Sequence, residues 1–249
     1  MLARMHRPIT FGHVALVATL SFAVLACTAA ASTPPPATAR PTATPAPSVD
    51  IGAQVVKATV GAFAADPLVL HVAQTAKLTW TLSGKSWKGS DSMTLDLSDR
   101  DLSAHFETKE KGKTTNLDLV VVGKTVYARD GGKKWASGPR SSAEQNIADV
   151  LRALPSIREP AHLAYVGPET VDDVKLHHLT AVRTFSYQMS IGQTATYDTF
   201  DIWVREDGTP VLAKGTISAI GPYGVEIKGT NEMRFSEFGG PIQIAAPKT

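Results

Sequence analysis

Apolar and polar residues alternate with a period of two through much of this chain, most regularly over residues 68–82. Leu68, Leu70, Val72, Ala76, Leu78, Trp80 and Leu82 occupy even positions, and Val69, His71, Thr75, Lys77, Thr79 and Thr81 alternate with them. Successive side chains of a strand point to opposite faces, so this spacing predicts a strand buried on one face only. The same pattern returns at Met93-Leu95-Leu97, Leu102-Ala104-Phe106, Leu117-Leu119-Val121 and Phe185-Tyr187-Met189-Ile191. Further strands are expected over 125–129, 162–166, 174–183, 197–205, 210–220 and 223–235. Turn residues separate them: Ser83-Gly84, Lys111-Gly112, Asp130-Gly131-Gly132, Asp207-Gly208 and Gly221-Pro222-Tyr223-Gly224. Short connections of this kind make hairpins, and hairpins pair strands antiparallel.

Two segments change period to 3.6. Ile51, Val55, Ala58, Thr59, Ala62 and Phe63 form one stripe after a possible Asp50 cap, ending before Pro67. Ser141-Ser142-Ala143-Glu144 reads as a capping box, with Ile147, Val150, Leu151 and Leu154 behind it and Pro155 as the stop. One apolar face per strand and one apolar stripe per helix give a mainly β, α+β body. Its economical form is a single strongly curved antiparallel sheet, an open half-barrel, with two helices on the concave face.

Upstream of that body the chain has a different character. Arg4 and Arg7 precede an apolar run over residues 14–26, broken only by Thr19 and Ser21, and Val24-Leu25-Ala26-Cys27 closes it. A basic start, a short apolar stretch and a small residue read as a signal peptide over residues 1–26. Cys27 is the only cysteine, so it has no partner within the chain for a disulfide. Its position directly after the small residue resembles the lipobox of bacterial lipoproteins, which implies a Cys27 acylated as the new N-terminus. Burial of acyl chains contributes about 0.8 kcal/mol per methylene, so a two-chain anchor is worth on the order of 20 kcal/mol. Residues 28–49, rich in Pro, Thr and Ala with Arg40 as the one charge, read as a flexible linker reaching roughly 60 Å when extended. The domain is expected over residues 50–249.

The formal charge of +2 falls to zero once Arg4 and Arg7 leave with the signal. Nucleic-acid binding requires a basic excess, so that partner is not expected. Specific catalytic signatures (GxSxG, HExxH, a Walker loop, GxGxxG) are missing from the sequence. His177-His178 is the most tempting metal pair, but neighbours on a strand face opposite ways and cannot easily share an ion. Asp172-Asp173 reads as an exposed turn. Neither enzymatic activity nor a cofactor or metal is expected. The aromatic residues Trp80, Trp87, Trp135, Trp203, Tyr127, Phe106, Phe185 and Phe200 lie in or beside strands, where core packing accounts for most of them. A bent sheet under two short helices can still leave apolar lining for a hydrophobic ligand.

Several segments resemble one lipoprotein family. Residues 119–127, ending Gly123-Lys124-Thr125-Val126-Tyr127, followed by Lys134-Trp135, resemble a hairpin of the mycobacterial LppX/LprG lipoproteins. The run from Tyr165 to Leu179 is similar to a strand pair of that family, with Asp173 where the family often has Gly. Ile202-Trp203-Val204 with Asp207-Gly208-Thr209-Pro210-Val211, and the ending from Phe235 to Pro247, are similar to two further segments. The resemblance covers most of residues 54–247. It implies an open half-barrel of the wider group that includes the LolA and LolB carriers, with an apolar cavity for acyl chains. The resulting expectation is a monomer, exported and held by lipid on the outer face of a bacterial cell membrane. It would bind acyl chains of a lipid or lipoglycan for transfer or presentation. The expected lining is Val55, Leu70, Val72, Leu78, Trp80, Leu95, Leu97, Phe106, Ile147 and Leu151. A non-transporting envelope sensor or assembly scaffold with a filled interior is the alternative, and an envelope hydrolase the third reading.

Overall fold

The computed structural model describes residues 50–99, 101–140, 162–188, 194–221 and 224–248. Cys27, the signal and linker segments, and the helix expected over 141–154 with Ile147 and Leu151 lie outside the described residues. The described chain runs through one helix and twelve strands. These are α1 (Ile51–Phe63), β1 (Val69–Leu82), β2 (Lys85–Ser98), β3 (Asp101–Glu110), β4 (Lys113–Val122), β5 (Thr125–Asp130) and β6 (Ala136–Pro139). There follow β7 (Leu163–Val171), β8 (Val174–Ala181), β9 (Phe185–Gln188), β10 (Thr194–Val204), β11 (Pro210–Ile220) and β12 (Glu226–Ser236).

All twelve strands join one sheet, in the order β6-β5-β4-β3-β2-β1-β12-β11-β10-β8-β7, with β9 beside β10. Every pairing is antiparallel. β6 and β7 end the path without meeting, so the sheet is an open half-barrel and not a closed barrel. Three tight hairpins set its register. Ser83-Gly84, Lys111-Gly112 and Asp172-Asp173 are two-residue loops whose central residues all have φ between 50° and 77°, the geometry that matches strand twist. β6 was not expected, because Ala136–Pro139 carries no apolar alternation; it pairs with β5 through the backbone ladder. β2 and β3 run well beyond their apolar cores, since Gly89 and Asp91 interrupt the alternation without interrupting the ladder.

α1 forms where the sequence places it. The Asp50 carboxylate accepts from the Ala53 amide at 3.1 Å, capping the first turn. Its buried stripe is Gly52, Val55, Val56, Thr59 and Phe63. Ile51, expected in that stripe, is exposed; Gly52 is the residue set against the Tyr165 ring on β7. The β10–β11 turn presses on the middle of the helix. At Gly208, which has φ +81°, a Cβ would lie 2.4 Å from the Ala58 backbone, so only glycine permits this approach. At the far end Phe63, with no exposed surface, packs edge-on against Phe235 and Phe238, both at 5.7 Å between ring centres. The helix therefore crosses one end of the sheet's inner face, and the main core lies beneath it.

The outer face carries its own clamp. The β7–β8 hairpin reaches across it: Arg234 on β12 donates to Asp172 at 2.7 Å, and Trp203 Nε1 donates to Glu169 at 2.8 Å. Leu176 and Leu212, outside the main core, are fully buried here.

Two outcomes follow from these contacts. Asp173→Gly relieves a left-handed backbone (φ 63°) and is expected to stabilise the domain by about 1 kcal/mol, read as a higher urea midpoint with unchanged slope. Phe63→Ala empties the helix–sheet contact and is expected to cost about 3–5 kcal/mol in the same titration.

Candidate functional site

Because the register is continuous from β4 to β11, inner-face side chains form transverse rows. Nearest α1, Val121, Leu102, Leu97 and Leu70 make one row, and Leu119, Ala104, Leu95, Val72 and Phe235 the next. All nine are buried. Leu117, Phe106, Met93, Gln74, Met233 and Ala213 follow, mixing half-buried with buried side chains. One step further, the row turns polar: Thr115, Thr108, Asp91, Ala76, Asn231 and Gly215. The next row runs Lys113, Glu110, Gly89, Leu78, Gly229 and Ile217, with Leu78 and Ile217 buried, and after it come Trp87, Trp80 and Ile227.

The two tryptophans stack 6.5 Å apart with their planes 11° from parallel. Gly89 makes room for them: a Cβ there would sit 2.8 Å from the Trp80 ring and 2.1 Å from the Lys109 carbonyl oxygen. Lys111 Nζ lies 3.8 Å from the centre of the Trp87 ring on the hairpin beside it.

In the polar row the Asn231 amide donates to the Tyr197 hydroxyl at 2.6 Å, deep in the sheet. Burial pushes the Tyr197 phenol up to about 12, against a partial lowering by Asn231, so it remains protonated. Burial likewise raises the Asp91 carboxyl above its ordinary value of 3.8; a hydrogen bond with Thr108 opposes this and the nearby Glu110 charge adds to it. Asp91 Oδ1, Asn231 Oδ1 and Trp87 Nε1 are all shielded from solvent and have no hydrogen-bond partner. Leaving such atoms unmet is costly, and here three lie on one stretch of the inner face.

Of the residues expected to line a ligand site, Val55, Leu70, Val72, Leu78, Leu95 and Leu97 are at most 3% exposed within the core. Trp80 and Phe106 are half-buried and pack against its edge. Asp91, Asn231 and Met233 were not anticipated. Asp91 was nonetheless traceable, because Trp87, Gly89, Asp91, Met93, Leu95 and Leu97 share one parity. His177 and His178 do point to opposite faces. His177 meets the Tyr165 hydroxyl at 2.9 Å, while His178 stacks on Trp203 at 4.6 Å between Glu169 and Asp201. Asp172-Asp173 is the exposed turn expected. A hollow of about 440 Å³ on the outer face is lined by threonines and charged side chains, among them Lys77, Asp201, Lys214 and Glu232. Among the described residues no helix is long and apolar enough to cross a membrane.

No protein-family model matches the chain, and no curated protein matches it. Solved structures are similar in outline. A DUF1329 family protein from Desulfovibrio piger shares 12% identity over 73% of this chain and 90% of its own, with a TM-score of 0.26. A LolA superfamily protein from Nitrosomonas europaea shares 9% over 74% and 91%, at 0.21. The MucA/MucB complex of Pseudomonas aeruginosa shares 12% over 72% and 56%, at 0.26. Likenesses at these scores carry no weight for function, and the site must be read from its own residues.

One consequence of the Asp91 environment is measurable. With its folded value raised, ionisation of Asp91 opposes folding: the penalty is absent below pH 3.8 and grows as pH rises through the raised value. Asp91→Asn is therefore expected to stabilise the domain at pH 7, with the gain over wild type vanishing in acid, as followed by thermal melts across pH.

Proposed function

We propose that this protein is a membrane-anchored envelope lipoprotein that holds acyl chains of a lipid or lipoglycan against the inner face of its half-barrel, for transfer or presentation. The observation that carries this reading is the inner face itself, apolar over most of its rows yet only half-buried at Trp80, Trp87, Met93 and Phe106. An alkyl chain laid there removes further apolar area from water, at roughly 25 cal/mol per Å². In this reading the action is passive binding, driven by burial of the alkyl chain. Lining residues in this reading are the half-buried Trp80 and Phe106, with Val55, Leu70, Val72, Leu78, Leu95 and Leu97 as the floor. Ile147 and Leu151, also expected in the lining, lie outside the described residues. The Cys27 lipobox and the Pro/Thr-rich linker over 28–49 support export and anchoring, and the resemblance to the LppX/LprG lipoproteins supports the acyl-chain cargo.

Native mass spectrometry of the full chain, purified from the membranes of a bacterial host, tests both parts. The expected result is a diacyl-modified Cys27, abolished together with membrane retention in Cys27→Ala, and a co-purifying lipid that survives desalting. Repeated recovery of ligand-free protein that cannot be loaded from vesicles would instead favour a sensor or scaffold with the same fold.

A further inference from the structure

The polar row crosses the inner face where an acyl-chain reading alone predicts apolar side chains. Asp91 and Asn231 both flank Ala76, one on each neighbouring strand, so they stand two strand spacings apart, about 9.5 Å. Ala76 is 3% exposed, and its methyl is the only side-chain atom its own row places between them. Asp91 Oδ1 and Asn231 Oδ1 are unmet acceptors, and Trp87 Nε1 on the same strand as Asp91 is an unmet donor. Ligand chemistry can be sorted against this set. A plain alkyl chain would leave all three unserved. A phosphate would set an anion against two acceptor oxygens. An ammonium would satisfy the acceptors, leave the indole N–H without a partner, and require a charged Asp91 in a place where burial disfavours the charge. A hydroxyl both donates and accepts, and two or more of them on one carbon frame span a gap no single group can.

Resting on the acyl-chain reading above, we propose that Asp91, Asn231 and Trp87 form a subsite for the polyol portion of an acylated ligand, with Ala76 as its floor. The shared chemistry is a run of free hydroxyls next to the acyl chain, whether from glycerol or from a sugar. The apolar rows on the α1 side then take the chain, and the stacked Trp80 and Trp87 border the polyol on the other side.

The test presents full-length protein with phosphatidylcholine nanodiscs holding equal amounts of 1-monopalmitoylglycerol and its diacetyl ester, and reads the bound ratio by native mass spectrometry. Parallel samples holding a palmitoyl sugar and its peracetate distinguish the sugar from the glycerol source. Wild type is expected to favour the free-hydroxyl form at least tenfold in one of the two pairs. Asp91→Leu and Asn231→Leu should each reduce that preference below threefold, while Asp91→Asn, which keeps an acceptor, should retain it. Equal binding of free and acetylated forms by wild type, or a preference that survives both leucine variants, overturns the subsite and leaves acyl binding standing. Failure of wild type to bind any of these lipids overturns both. Should a leucine variant fail to fold by circular dichroism, the wild-type ratio together with Asn231→Ala decides.

Discussion

A sheet of twelve antiparallel strands with one apolar face has to hide that face, and among the described residues α1 alone lies across it. Everything about the inner surface depends on this unequal cover. Under the helix, Phe63 meets Phe235 and Phe238 and the rows below are dry. Moving away from the helix, aromatic and thioether side chains remain half-exposed while the backbone ladder continues unchanged. Burial is uneven within a row as well, since Leu117, Phe106 and Met93 are half-buried where Met233 and Ala213 beside them are buried.

Two kinds of chemistry share this one surface. Apolar rows are equally suited to packing each other or an alkyl chain, since dispersion and burial are non-directional. The row through Asp91, Ala76 and Asn231 is directional, because an oxygen or N–H out of water demands a partner in a particular place. The outer face answers to different rules: there the Asp172–Arg234 ion pair, the His178–Trp203 stack and the buried Leu176 and Leu212 tie the β7–β8 hairpin back across the sheet.

Local signals reached a long way. Two-residue turns such as Ser83-Gly84 and Lys111-Gly112 required positive φ and were visible as Gly-containing dipeptides; the period-two parity of β1 announced which face of every neighbouring strand would be buried. The Asp50 cap and the α1 stripe were legible for the same reason, since each rests on contacts within one turn of helix. β6 was not legible, because backbone pairing leaves no mark on a strand's side-chain pattern. Ile51 was misplaced because a helical stripe has soft edges, and the contact of Gly52 with Tyr165 decides them. The inner-face row through Asp91 was half legible: parity placed Asp91 inward, but a lone inward carboxylate has no meaning until its cross-strand partners are known.

The chain's own alternation determined that the body is a one-sided antiparallel sheet, where its turns fall, and that α1 has a face to bury. These are properties of residues adjacent in sequence, governed by backbone sterics and a fixed side-chain period. Which strands lie side by side, and therefore that Asp91 and Asn231, far apart in the chain, flank Ala76 in one row, was decided only by the tertiary structure. Pairing of β1 with β12 is a long-range choice made by collective burial, and no local pattern encodes it.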